Sequence, residues 1–278
     1  MTTKDAIKYF SAMFGIEHFE NYVGKITFFK KLATGLELNS DTPEVVPDSS
    51  ISGLVKALCR RMDNVYGIPR QQMQGIQGEI AAISKTLGIK LLEEMAAIYT
   101  QTYHVLCPLK GDLDRSCTEY DMSKPIIELI SNLRPQITAS KHDNIRNMVE
   151  EIKALQTTLD ATENIDEQLA LEEDITGRIL WTCHYGLRSE VGHIPAKVLH
   201  SILENDKLCN LLDRVMFLEE ISRVFNDALA ELPTDDQAHL RRIMADAEAG
   251  TSKHKLLFEE RKREQRVPGA RHEEQTRT

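Results

Sequence analysis

Cys183-His184, with His193 and His200 beyond it, places four nitrogen and sulfur groups within 18 residues. These are the residue types that hold zinc, as thiolates and neutral imidazoles. Eight residues separate His184 from His193, and six separate His193 from His200, with a Gly192-His193-Ile194-Pro195 helix break inside the group. Imidazoles near helix ends commonly serve as polar caps or edge residues, and that reading is preferred, so no metal site is expected. Paired carboxylates at Glu93–Glu94, Glu150–Glu151 and Glu172–Glu173–Asp174 invite an acid–base reading. Adjacent positions on a helix point about 100° apart, however, so such neighbours do not share one pocket and are expected to be solvated faces. The chain contains no glycine-rich phosphate loop, no Gly-x-Ser-x-Gly elbow and no His-Glu-x-x-His pair. No catalytic residue and no cofactor is expected; the reading is of a protein that is not an enzyme.

The elements that would position any site follow from composition and spacing. The 278 residues carry 34 Lys+Arg against 43 Asp+Glu, a net charge of -9, which argues against a broad nucleic-acid face. No apolar run approaches the roughly 20 residues of a membrane span, and the first five residues lack the apolar stretch of a secretory signal. Cys59, Cys107, Cys117, Cys183 and Cys209 are odd in number, with no Cys-x-x-Cys pair, so reduced thiols are expected rather than a disulfide framework. A soluble cytoplasmic protein, at most peripheral to an organelle membrane, is the expectation. Sixteen residues are aromatic, and seven of them (Tyr9, Phe10, Phe14, Phe19, Tyr22, Phe28 and Phe29) fall in the first 29 positions.

Helical spacing dominates the remainder. Residues 1–34 form an aromatic N-terminal segment with Gly15 and Gly24 as turn points and a weakly supported strand at Lys25–Phe29. Residues 35–50, rich in turn formers, read as a linker to a helical domain over 51–250. Within it, Leu54, Leu58, Met62 and Val65 share a face, and one helix is predicted over about 71–105, ended by Pro108 and Gly111. A polar loop at 107–124 and short helix at 125–138 precede a stripe from Ile145 through Leu159. Asn164, with Glu167 three residues later, is a helix-start signature for a run to about residue 186. Gly192 is expected to break the pattern, and Pro195 to open a new helix. The clearest helix spans about 207–231 through Leu211, Val215, Leu218, Ile221 and Phe225. Residues 251–278, charged and almost without aromatics, are expected to be a disordered or fraying helical tail. The predicted fold is all-α: an irregular multi-helix bundle between an aromatic N-terminal segment and that tail.

Three separated blocks carry a family resemblance. The run from Asp5 to Gly15 (Asp-Ala-Ile-Lys-Tyr-Phe-Ser-Ala-Met-Phe-Gly), followed by Phe19, Tyr22-Val23-Gly24 and Ile26, follows an Asp/Pro-x-x-x-Phe-Phe-x-x-x-Phe-Gly and Phe-x-x-Tyr/Trp-Val/Ile-Gly pattern. Leu87-Gly88-Ile89-Lys90-Leu91-Leu92 with Ile98-Tyr99 is similar to a Phe-Gly-Val-x-x-Leu helix ending in Ile-Tyr. Leu171 through Leu180-Trp181, Glu190, Val198 and Ile202, with the helix at 207–231, are similar to closing helices. In order and spacing the blocks span residues 5–232 and resemble the C-terminal X-domain of DnaJ-like proteins of fungi and plants.

The resemblance implies structural roles for Gly15, Gly24, Gly88, Leu91, Tyr99, Trp181 and Glu190. It implies a co-chaperone-type module acting through interaction with client or organelle-surface proteins, with peroxisomal protein import as a link in some fungal relatives. A structural scaffold or tether without a chaperone role is the alternative. The candidate partner surface is Tyr9, Phe10, Phe14, Phe19 and Tyr22, weighed against packing of the same rings onto the protein's own helices. A mixture would keep Phe14 and Phe19 as anchors and leave Tyr9 or Phe10 at the surface. The J-domain of the family is not found: Lys141-His142-Asp143 matches its His-Pro-Asp loop only loosely and without the preceding basic helix. Stimulation of a DnaK-type ATPase is therefore expected only of a longer product bearing that domain.

Overall fold

The computed structural model describes residues 3–29, 70–109, 140–205, 208–231 and 237–265. The predicted linker at 35–50, the Leu54–Val65 stripe, most of the 107–124 loop and the helix at 125–138 lie outside the described residues. Among the described residues the fold is all-α, with nine α-helices and no strand. They are α1 (Thr3–Phe14), α2 (Ile16–Val23), α3 (Arg70–Ser84), α4 (Ile89–Leu106), α5 (Ser140–Ala161), α6 (Ile165–Asn205), α7 (Leu208–Ala230), α8 (Ala238–Glu248) and α9 (Lys253–Gln265). A short 3-10 turn, Cys107–Leu109, follows α4.

These helices divide into two compact units. The first holds α1 to α4, the part of α6 from Cys183 onward, and α7; the second holds α5 from Asn144, α6 up to Thr182, α8 and α9. This line runs through the middle of the predicted 51–250 domain.

In the first unit, α7 lies along α4 and also meets α3. The α7 stripe read from the sequence explains this, because Val215, Leu218, Ile221 and Phe225 are all buried, as are Leu91, Leu92, Met95 and Tyr99 of α4. Phe225 is the hub. Tyr99 stacks on its ring at 5.6 Å between centroids, and Tyr22 of α2 meets it edge-on at 5.8 Å.

The predicted 71–105 helix is two helices. The chain turns at Lys85–Gly88 because Leu87 donates its N–H to Met13 O at 2.8 Å, at the end of α1, rather than to its own preceding turn. Thr86 completes the turn: its hydroxyl donates to Ile83 O at 2.8 Å and accepts the Gly88 N–H at 3.0 Å.

Two further boundaries differ from expectation. The possible strand at Lys25–Phe29 is instead irregular chain leading into a helical turn at 28–29, and its donors are taken by a side chain, described below. The break at Gly192 and Pro195 does not occur, for α6 runs through both. Val191 and Ile194 on either side are buried, and a Cβ at Gly192 would stand 3.3 Å from Glu94 Oε1 of α4.

The second unit is joined along α6. Asn164 caps its start, its Oδ1 accepting the N–H groups of Asp166 at 3.0 Å and Glu167 at 3.2 Å, as the sequence signature predicts. Gly177 lets α8 approach closely: a Cβ there would fall 2.4 Å from Ile243 O. Gly250, at φ 72°, closes α8 with Gly250 N–H to Ala247 O and Thr251 N–H to Asp246 O. The described part of the expected tail is the ordered helix α9.

Candidate functional site

The aromatic N-terminal block is gathered into a joint in the first unit. Phe14 at the end of α1, Phe19 and Tyr22 on α2, and Phe29 are buried. Phe29 stacks with Phe10 at 5.9 Å and leans on Phe14 at 6.3 Å. Tyr9 sits edge-on to Phe10 at 5.5 Å and is 51% exposed. The expected partner surface is thereby corrected for three of its five members. Phe14, Phe19 and Tyr22 are turned inward: the left-handed Gly15 separates α2 from α1, α2 packs against α3, and Tyr22 meets Phe225 of α7. Tyr9, with half-buried Phe10 behind it, is left at the surface beside exposed Asp5, Lys8 and Ala12 on α1.

Local backbone chemistry explains why the joint closes. Gly15 has φ 63° and Gly24 has φ 72°, in the left-handed region that an L side chain resists. Gly88 has an ordinary helical φ of -70°, and its role is space, since a Cβ would lie 2.4 Å from Phe14 O.

Glu190 supplies the third constraint, from α6. Its Oε1 accepts the Thr27 N–H and the Thr27 hydroxyl, both at 2.8 Å, and its Oε2 accepts the Phe28 N–H at 2.9 Å. One carboxylate therefore satisfies two adjacent backbone donors, those of Thr27 and Phe28, that sheet pairing would otherwise have had to satisfy. Phe28 lies over Gly186 one turn earlier, where any Cβ would come within 2.0 Å of its ring. We expect Glu190→Ala to remove about 1–2 kcal/mol of stability, the usual net cost of losing such bonds at a partly solvated site. Amide exchange of residues 24–29 checks it, with Glu190→Gln falling between the two.

Leu91 and Tyr99 are buried in the α4–α7 contact. Trp181 lies in the second unit, half-buried on α6. Thr27, Phe28 and Gly186 escaped sequence reasoning; the only signal was a Phe-Phe pair at 28–29 without an assigned partner.

The residues considered for chemistry are placed as follows. Cys183 is buried, and burial pushes its thiol up to about 12, so it stays protonated and a poor ligand at neutral pH. His184 is also buried, His193 is half-buried, and the side chain of His200 lies outside the described residues. Among the described residues, no three of His, Cys, Asp and Glu gather as metal ligands. Glu94 pairs with Arg188 at 3.0 Å, Glu150 with Lys153 at 2.9 Å and Glu151 with Arg178 at 3.0 Å. Glu173 meets Lys253 and Arg242, and the Lys253 ammonium hydrogen-bonded to it holds its carboxyl below the usual range. Lys141-His142-Asp143 lies in the opening turns of α5 rather than in a loop.

No helix of the described residues is long and apolar enough to cross a membrane. In comparisons with known proteins, no family model, no curated protein and no solved structure matches this chain.

Proposed function

We propose that the chain is a non-enzymatic, co-chaperone-type helical module of the DnaJ X-domain kind, which binds client or organelle-associated proteins through the Tyr9–Phe10 edge of α1. The observation that supports this is the division of labour within the aromatic block. Phe14, Phe19, Tyr22 and Phe29 are buried in the joint, while Tyr9 is held outside it at 51% exposure. A tyrosine ordered at the surface by a ring behind it offers a partner large contact area at small entropic cost. The motif positions Gly15, Gly24, Gly88 and Glu190 all act on this one segment, which gives their spacing a physical reason.

The test is suppression of aggregation of a chemically denatured client by the purified protein, compared with Tyr9→Lys. Tyr9 is exposed, so the variant should keep the fold. We expect suppression by the unmodified chain and a loss of about tenfold in potency for Tyr9→Lys, the scale of one interface anchor. No suppression by either protein would favour the scaffold or tether reading, and equal suppression by both would place binding elsewhere.

A further inference from the structure

Helix α9 is attached to its unit mainly by charge. Its start is held by Asp174 of α6, whose carboxylate accepts the N–H groups of Lys253 at 2.9 Å and His254 at 3.2 Å and the hydroxyl of Ser252. Lys253 pairs with Glu173 on the same helix. Near its far end, Arg261 reaches back to Glu167 and to Asn164 Oδ1 at the start of α6. Apolar contact is limited: of the three large apolar side chains of α9, Leu257 is half-buried, whereas Leu256 and Phe258 are 57% and 50% exposed, and Phe258 lies beside His254 and Lys262 of its own helix. A cleft of about 280 Å³ remains beside the N-terminal end of α9, walled by Glu173, Arg242, Lys253 and Leu256. Ala170 and Leu171, which are fully buried, lie on α6 between the two anchoring points.

We propose that α9 is an electrostatic latch: a basic helix strapped across the acidic start of α6, which detaches as a unit while the remainder of its unit stays folded. Exposed ion pairs contribute about 0–1 kcal/mol each, so a helix held by two clusters of them and little apolar area belongs to the low-stability end of local opening. Detachment frees Asp166, Glu167, Glu173 and Asp174 from their α9 partners together, an acidic face suited to a basic amphipathic helix.

The latch is tested by hydrogen exchange on the intact chain at fixed pH in low salt and in about 1 M sodium chloride, where the screening length falls to about 3 Å. Exchange in residues 253–265 should rise about tenfold or more, with α8 (238–248) changing less than about twofold, because local opening leaves the other elements protected. Asp174→Asn in low salt should reproduce the release and weaken its salt dependence. Exchange of α9 that tracks α8 in the salt experiment would overturn the proposal, as would equal acceleration of α8 by the substitution, since α9 would then be an integral part of the core.

Discussion

Phe225→Ala is expected to destabilise the first unit by about 3–5 kcal/mol, the range for removing a buried aromatic side chain and leaving a cavity. The high end applies because two rings lose their partner at once. Tyr99 stacks on Phe225 from α4, and Tyr22 abuts it from α2, so three helices meet on this side chain. The neighbourhood cannot collapse easily, since Leu91, Leu92 and Met95 are already fully buried around α4. Beside it, Thr100 and Ser222 hydroxyls hydrogen-bond at 2.8 Å, with Asn226 donating to Thr100 at 3.1 Å, which fixes the register of α4 on α7. Phe225→Leu should cost markedly less by refilling part of the volume. The measurement is denaturant dependence of amide exchange in α4 and α7. Tryptophan fluorescence would report on the wrong unit, because Trp181, the sole tryptophan, lies in the other.

Gly88→Ala should cost about 3 kcal/mol, the upper end for overpacking a filled site. A methyl there meets the carbonyl of Phe14 at 2.4 Å, with Ile83 Cγ2 and Thr86 Oγ1 each at 3.0 Å. Backbone has to move, and the contact at risk is the Leu87 N–H to Met13 O bond that seats α1 on the turn. The same substitution at Gly75 or Gly78 in α3, where a Cβ meets nothing within 4 Å, should stabilise by about 0.5–1 kcal/mol through helix propensity. A thermal-melt series of the three variants separates space from propensity. Under the proposed function, Gly88→Ala should also lower suppression of client aggregation, as Tyr9→Lys does, since α1 would lose its seat.

The all-α class and the α7 stripe were legible because apolar positions repeat at three and four residues and the faces they define are buried. Asn164 was legible as a cap because capping is a local event. What escaped reading was non-local. The turn at Lys85–Gly88 depends on Met13, and the path of residues 25–29 depends on Glu190, a carboxylate 163 positions from Thr27. Gly192 looked like a helix breaker, yet α6 runs straight through it. The helix at 253–265 is poor in apolar residues, and the anchors that order it are acids on α6 that composition alone could not pair with it. For the aromatic block, residue types gave the cluster, and the turn at Gly15 together with the contacts made by Tyr22 and Phe29 decided which rings face inward.

The reach of Glu190 back to Thr27 has a consequence for synthesis. At about 5–20 residues per second, the 163 positions between them take about 8–30 s to emerge from a ribosome. Phe225, which Tyr22 needs as its partner, arrives later still. Throughout that interval the aromatic block, seven side chains within 29 residues, waits without the carboxylate that holds Thr27 and Phe28 and without the ring against which Tyr22 packs. The nascent chain therefore displays this adhesive stretch well before the helices that cover it are made, so a protein proposed to shelter others is itself exposed to aggregation during its synthesis.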